Sequence, residues 1–438
     1  MSFFRRELLY AAIVCFTPLG FGYIIGYPSP AAYYFRKNWS KLPDNWGLFV
    51  AITQLTGAIG PYIPSLLFKC NVGRRYVALI INIASIIMWL ILAFMTEKLF
   101  WMGFVIRILQ GFLLGAMSSL GPLLLLEVAP SDQTGLYGTF NQIFIVIGII
   151  ILYLIGQYQK PWVMCLYSIV SHIVQSCLIF LIPKEAIHKR DVTNDEENQT
   201  KESIFQAKYI WSLTCLILIM LTQQFSGINA ILSDLSQLFD NAKIKGVPAG
   251  IQSTIATLAQ LIACFFSGGL VKTLGRKAMW CISGTLCAAS LIVFGFNSKY
   301  NWSNVLPVIL IFLFQFGFGL GLAPMPWYCS PERFPLSVRP MASSINGMTS
   351  WLFSFIIVYA SDAMTKSKMG SLGTFLFYGI VVLAGTVFGF FVIHEPDTVE
   401  ALDHDSDPNS DQKDDEKTTE KADDKAEEKV DGEAEEKV

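Results

Sequence analysis

Gly73-Arg74-Arg75 followed by Glu127-Val128-Ala129-Pro130, and Gly275-Arg276-Lys277 followed by Glu332-Arg333-Phe334-Pro335, are two copies of one pattern in a chain of 438 residues. The first pair is separated by 54 positions (73 to 127) and the second by 57 (275 to 332), each set between long apolar runs. A duplicated helical half is the simplest origin of that spacing. Runs long enough to cross a hydrocarbon core of ~30 Å at ~1.5 Å per residue fall at roughly 8–28, 46–68, 76–96, 99–122, 135–157, 162–182, 208–232, 250–271, 277–297, 303–327, 341–361 and 371–393. The expected fold is therefore an all-α membrane protein with twelve transmembrane helices in two pseudo-symmetric six-helix halves, 1–183 and 208–394. A short cytoplasmic linker at 184–207 joins them, and an acidic, disordered cytoplasmic tail occupies 395–438.

Composition points the same way. The chain is 53% hydrophobic and 15% charged, with mean hydropathy +0.48, which leaves little polar material for a water-facing surface. Net charge is −2 overall, but the tail from Glu400 onward holds seventeen acids and six lysines, a net of −11, so the body carries +9. With an even number of spans both ends share one side. Arg5, Arg6, Lys69, Arg74, Arg75, Lys272, Arg276, Lys277 and Arg339 fall on it, which the positive-inside rule makes cytoplasmic. The Arg5-Arg6 pair precedes an apolar run without a small-residue cleavage site, so the run reads as a span and not a signal peptide. The tail, almost devoid of apolar residues, cannot bury a core; a cytoplasmic partner for it is an expectation. Nine scattered cysteines without a C-x-x-C pattern exclude a disulfide framework or zinc site, and no metal or cofactor is expected. Basic residues divided among membrane loops exclude a nucleic-acid partner. Sequons at Asn38 and Asn301 lie on the outer side and that at Asn198 on the inner, so a glycoprotein is expected through the first two. Two halves that rock about a midplane site are how many secondary transporters reach alternating access.

The chain resembles the sugar porters of the major facilitator superfamily, the group of facilitative hexose carriers and sugar/proton symporters. The motifs that carry the likeness run over about 1–400. They are Gly73-Arg74-Arg75, Arg107 with Gly111 and Gly115, Glu127-Val128-Ala129-Pro130, Asn141-Gln142, Gln223-Gln224-Phe225-Ser226-Gly227-Ile228-Asn229-Ala230, Gly275-Arg276-Lys277, Pro324-Met325-Pro326-Trp327, Glu332 with Phe334-Pro335 and Arg339, Trp351, and Pro396-Asp397-Thr398. The Gln-Gln-x-Ser-Gly-Ile-Asn-Ala string with Pro-x-Pro-Trp and the paired loops, in order, is the specific part.

The chemistry of a sugar site can be argued from the residues. Hydroxyls both donate and accept, and amide side chains match them while staying neutral in a low-dielectric cavity. Gln142 in the fifth span, Gln223, Gln224 and Asn229 in the seventh, and Gln260 in the eighth are the candidates; lone membrane amides otherwise hold helices together. Trp327 and Trp351 offer indoles against the C–H faces of a pyranose, the resemblance making Trp327 the stronger platform. Ser350 stands where the family has Asn and Gly319 where many hexose carriers have Glu, which implies two missing hydrogen-bonding partners.

Proton symporters of the family place an Asp in the first span opposite the fourth-span Arg. Here the string is Gly22-Tyr23-Ile24 with Arg107 retained, so facilitated diffusion is expected and Arg107 needs another partner. Asp234, in place of the family's paired outer-gate tyrosines, is either a lip residue or a displaced proton site. Arg74, Arg75, Glu127, Arg276, Glu332 and Arg339 are expected to form ion pairs that close the cytoplasmic side. Cys70, Lys272, Leu124 and Thr134 depart from the motif residues, and a non-transporting sugar receptor is the rival reading. No nucleophile, metal cluster or phosphate loop accompanies His172, a lone histidine within the membrane runs, so an enzyme is not expected.

Overall fold

The computed structural model describes residues 2–130, 134–187, 203–242, 247–329, 333–335 and 338–395. Glu332, Pro396-Asp397-Thr398, the Asn198 sequon and the acidic tail beyond 395 lie outside the described residues.

Among the described residues twelve helical stretches are long and apolar enough to cross a membrane: α1 Arg6–Asn38, α2 Trp46–Lys69, α3 Arg74–Ala93, α4 Phe100–Val128, α5 Tyr137–Tyr158, α6 Pro161–Leu181, α7 Ala207–Asp240, α8 Ala249–Leu274, α9 Arg276–Tyr300, α10 Leu306–Trp327, α11 Met341–Lys366 and α12 Gly370–Val392. Their outer faces are apolar and exposed, as on α3 where Ile80, Ile83, Ile87 and Leu90 recur at helical spacing. Water does not tolerate such a stripe on a monomer; lipid does.

Two spans run furthest beyond their apolar runs. α1 continues past 28 to Asn38, and α7 past 232 to Asp240. In α1, Pro28 and Pro30 open a second helix, Pro28–Asn38, where the apolar run ends. The missing N–H of proline costs nothing in a first helical turn, where no intrahelical acceptor exists. These two extensions are the corresponding first spans of the two halves, and they pack on each other.

The halves also meet where α5 packs on α8 and where α11 packs on α2. Since α11 is the repeat counterpart of α5 and α8 that of α2, this is one contact made twice. Within the first half, α1 lies so close to α5 that a Cβ on Gly22 would strike the Ile145 carbonyl, and one on Gly148 would strike the backbone of α1 at Leu19. Glycine at both positions sets that helix separation.

The linker is more anchored than its composition implies. Ile204, fully buried, joins Tyr209, Leu216, Phe334, Val338 and Ala342 in a small separate core. Glu395 belongs to the folded body and not to the tail: its carboxylate accepts the Arg276 and Lys277 backbone amides at 2.9 and 3.1 Å. It caps the free N–H groups at the start of α9.

Candidate functional site

α7 is broken twice. Its first helix ends at Phe225, and Gly227 turns the chain with φ +77°, a left-handed value open to glycine. The second helix, Ile228–Ala242, is kinked at Asp234, where φ is −125° and ψ 15°. α10 is broken as well, with a wide π-type turn at Phe318–Leu322 before Pro324 and Pro326.

The amides of α7 sit at these breaks and form a relay. Asn229 Nδ2 donates to Gln224 Oε1 at 2.9 Å, and Gln224 Nε2 donates to Gln223 Oε1 at 2.9 Å. Gln223 Nε2 ends the line on the carbonyls of Leu322 and Ala323, at 2.7 and 2.8 Å. Those carbonyls are free for a definite reason. Pro326 has no N–H for Leu322, and the Trp327 N–H turns to Pro324 at 3.2 Å, leaving Ala323 without its helical donor. Gln223 therefore caps the α10 break, and its NH2 group is fully used in joining α7 to α10.

Two serines of α11 complete the relay. Ser350 accepts from Gln224 at 2.8 Å and Ser354 from Asn229 at 2.9 Å. Ser350 thus takes a hydrogen bond despite replacing the family's Asn, so one of the two partners expected to be missing is present in shorter form. The other is not: a Cβ at Gly319 would lie 2.8 Å from Ala263 Cβ and 2.8 Å from the Gln260 carbonyl. A larger residue has no room while α8 sits there. Groups left to engage a ligand are Asn229 Oδ1, the buried Gln260 Oε1, which lacks a partner, and Gln142, half-buried and without a hydrogen bond among the described residues.

The tryptophans differ from expectation. Trp351 is buried at the seam between halves, 5.7 Å from the Phe21 ring and 3.5 Å from where a Gly57 Cβ would stand, with its indole N–H unpartnered. Trp327 is 43% exposed, beside Gly347. Trp351, one residue from Ser350, belongs with the relay; Trp327 does not touch it in this state.

Arg107 is fully buried; its two terminal nitrogens find neutral acceptors, while its Nε has no partner among the described residues. Its guanidinium donates to the Ile24 carbonyl and Gln110 Oε1, each at 3.1 Å, and to Thr53 Oγ1 at 3.4 Å, over the Phe49 ring. The backbone of the residue that replaces the symporter Asp is itself an acceptor. No carboxylate among the described residues lies within ion-pair distance of it.

A feature not legible in the sequence joins α1, α5 and α7 on the face away from the termini. The kink at Asp234 separates the Leu232 carbonyl from the Ser236 N–H, the two ends of a helical hydrogen bond. The first-half side chains take both: Tyr153 Oη donates to the Leu232 carbonyl at 2.6 Å, and Ser29 Oγ accepts the Ser236 N–H at 2.9 Å. Further out, Tyr33 donates to Asp240 at 3.2 Å and Arg36 pairs with Asp234 at 3.4 Å. Residues 29, 33 and 36 form one stripe of a helix, so these contacts join the two halves along one seam on that face. Asp234 stands in the lip, half-exposed.

Of the charges assigned to the opposite gate, Arg74 pairs with Glu127 within the first half, and Glu127 is buried. Arg75 donates to the Ile182 carbonyl at 3.0 Å and Arg339 to the Phe334 carbonyl at 3.1 Å. Arg276 starts the helix that Glu395 caps. Burial pushes the Glu395 carboxyl up, but the Arg276 and Lys277 amides and charges outweigh it and hold the group below its ordinary 4.5. Among the described residues no group of His, Cys, Asp and Glu side chains is arranged to hold a metal ion.

Twelve spans in two rocking halves, with uncharged hydrogen-bonding groups at broken helices on the seam, define a secondary membrane transporter of the major facilitator type. The model of the sugar (and other) transporter family matches residues 10–401, and the chain belongs to that family. It is 26% identical over 86% of its length to sugar transporter ERD6-like 6 of Arabidopsis thaliana, covering 85% of that chain. It is 28% identical to the pig (Sus scrofa) facilitated glucose transporter member 2, over 80% of this chain and 74% of the other. Its fold matches the crystal structure of a D-xylose-proton symporter with TM-score 0.76 at 18% identity, covering 88% of this chain and 97% of that one.

Proposed function

We propose that this transporter carries a neutral sugar, a hexose or a related ring, down its own gradient by alternating access, with both termini in the cytoplasm. The observation that carries the reading is an uncharged set: Asn229 Oδ1 and the Ser350 and Ser354 hydroxyls at the α7 break, with the unpartnered Gln260 Oε1 on α8 and Gln142 on α5. A charged substrate would find no counter-ion there, whereas ring hydroxyls find donors and acceptors. Arg107 supports uniport, since a guanidinium does not release its proton at physiological pH and its acceptors are a carbonyl, an amide and a hydroxyl. The termini are assigned by the basic residues on their side, and the closed seam over the relay is the outer gate. The two facing groups 1–183 and 208–394 are the moving units.

Uptake into liposomes of a panel of labelled sugars, with and without a pH gradient, tests this. Saturable uptake that stops at equal concentrations on both sides is expected. Proton symport is the second reading, kept because Asp234 is a carboxylate in the moving seam; ionophore-sensitive accumulation lost in Asp234→Asn would replace the first.

A further inference from the structure

A cavity of about 700 Å³ lies on the face away from the termini, lined from both halves. Its walls include Trp46 from α2, Phe294 from α9 and Tyr378 from α12, but none of Gln142, Gln223, Gln224, Asn229 or Gln260. It borders the relay on its outer side, reaching Ala230, Ser233 and Val358, within one helical turn of Asn229 and Ser354, and its volume lies within the range of about 300–1,000 Å³ usual for small-molecule sites.

Tyr378 is the informative residue. Its ring stands against the Gly227 turn of α7, it is 2% exposed, and its hydroxyl has no partner. A buried phenol normally finds one. At the rim, cations and carboxylates alternate and pair: Arg36 with Asp234 at 3.4 Å, Lys41 with Asp44 at 2.8 Å and Lys366 with Asp362 at 2.6 Å. The lining is thus electrically balanced and gives a charged ligand no net attraction. Indole and phenyl faces, an unspent hydroxyl and carboxylate oxygens at the rim match a neutral ring bearing hydroxyls.

We infer that this cavity is a second, vestibular sugar site, occupied from the outer face while the seam above the relay is closed. The inference rests on the sugar-porter reading. A sugar held there rests against the Tyr378 ring, which itself packs on the Gly227 turn.

The test uses the full chain in lipid nanodiscs with tritiated D-glucose and tritiated trehalose as probes. The intact protein is expected to bind two equivalents of at least one probe. Tyr378→Phe keeps the ring on Gly227 and removes only the hydroxyl, so it should weaken one of the two sites by roughly 3- to 10-fold, the worth of a neutral hydrogen bond. Ser361→Trp, which grows into the cavity, should remove that site and leave the other unchanged; if it does not fold, Tyr378→Phe decides alone. A single site in the intact protein, or a second site indifferent to Tyr378→Phe, overturns the vestibular site while leaving the porter reading intact. No binding of either probe, with no uptake of any sugar in the panel, overturns both.

Discussion

Tyr153→Phe isolates the link between the α7 kink and the closed seam. The substitution removes one oxygen from a fully buried side chain and leaves the ring in place. In the closed state the Leu232 carbonyl, now bonded by Tyr153 at 2.6 Å, loses its partner. A buried acceptor left unpaired costs about 1–3 kcal/mol, and polar contacts between membrane helices run about 0.6–2 kcal/mol, so the lower range applies. In the open state the first half withdraws, and α7 recovers its own hydrogen bond by straightening between Leu232 and Ser236. The loss therefore falls on the closed state alone, and at 1.4 kcal/mol per tenfold the equilibrium moves toward the open outer face by roughly 3- to 30-fold. Ala32, fully buried and three residues from Ser29, reports the opening. With native cysteines replaced and a single Ala32→Cys, the rate of modification by an impermeant maleimide should rise by that factor in Tyr153→Phe. Ser29→Ala, which strips the acceptor from the Ser236 N–H, should act in the same direction. An unchanged labelling rate in both variants would refute the coupling of kink to closure.

Asp234→Asn should open the outer face more weakly, because the side chains of the Arg36–Asp234 pair are 33% and 54% exposed and such pairs are worth about 0.2–1 kcal/mol; the effect should fade at high salt, and a salt-independent effect would deny the pair any electrostatic role. Glu395→Gln should lower thermal stability by about 0.5–2 kcal/mol, the range of a lost helix cap. Because the Glu395 carboxyl titrates below its ordinary 4.5, the wild-type advantage should be complete above that value and vanish as pH falls through the folded one, so melting curves of the two proteins should converge in acid. Gln223→Ala should impair both folding and transport, since it uncaps two carbonyls of α10, whereas Gln142→Ala should reduce sugar affinity with an unchanged melting temperature; equal melting temperatures for both would remove the structural role from Gln223. An imposed inward proton gradient should add no sugar accumulation, as read by labelled uptake at equilibrium.

The sequence by itself determined the spans, the duplication and the family, because each is written in short-range or repeated pattern: apolar runs of bilayer length, a two-part loop pattern present twice with internal spacings of 54 and 57 positions, and the string from Gln223 to Ala230. It also marked the amides of α5, α7 and α8 as candidates, though not the hydrogen bonds they make. Gln223 is an amide in either role; only the neighbouring α10, broken at Pro324 and Pro326, turns it into a cap for two freed carbonyls. Ser350 read as a lost partner because its hydroxyl is shorter than an amide, yet α11 comes close enough for it to accept from Gln224. Nothing in the local pattern marks Ser29, Tyr153 and Ser236 as one device, since they lie on three helices and meet through a kink that no proline or glycine announces. Asp234 bends α7 without a breaker residue, and its cost is met by hydroxyls from the other half. A backbone group freed inside a membrane must find a partner, and which partner it finds is decided by the packing of distant segments, information that exists only once the halves have come together.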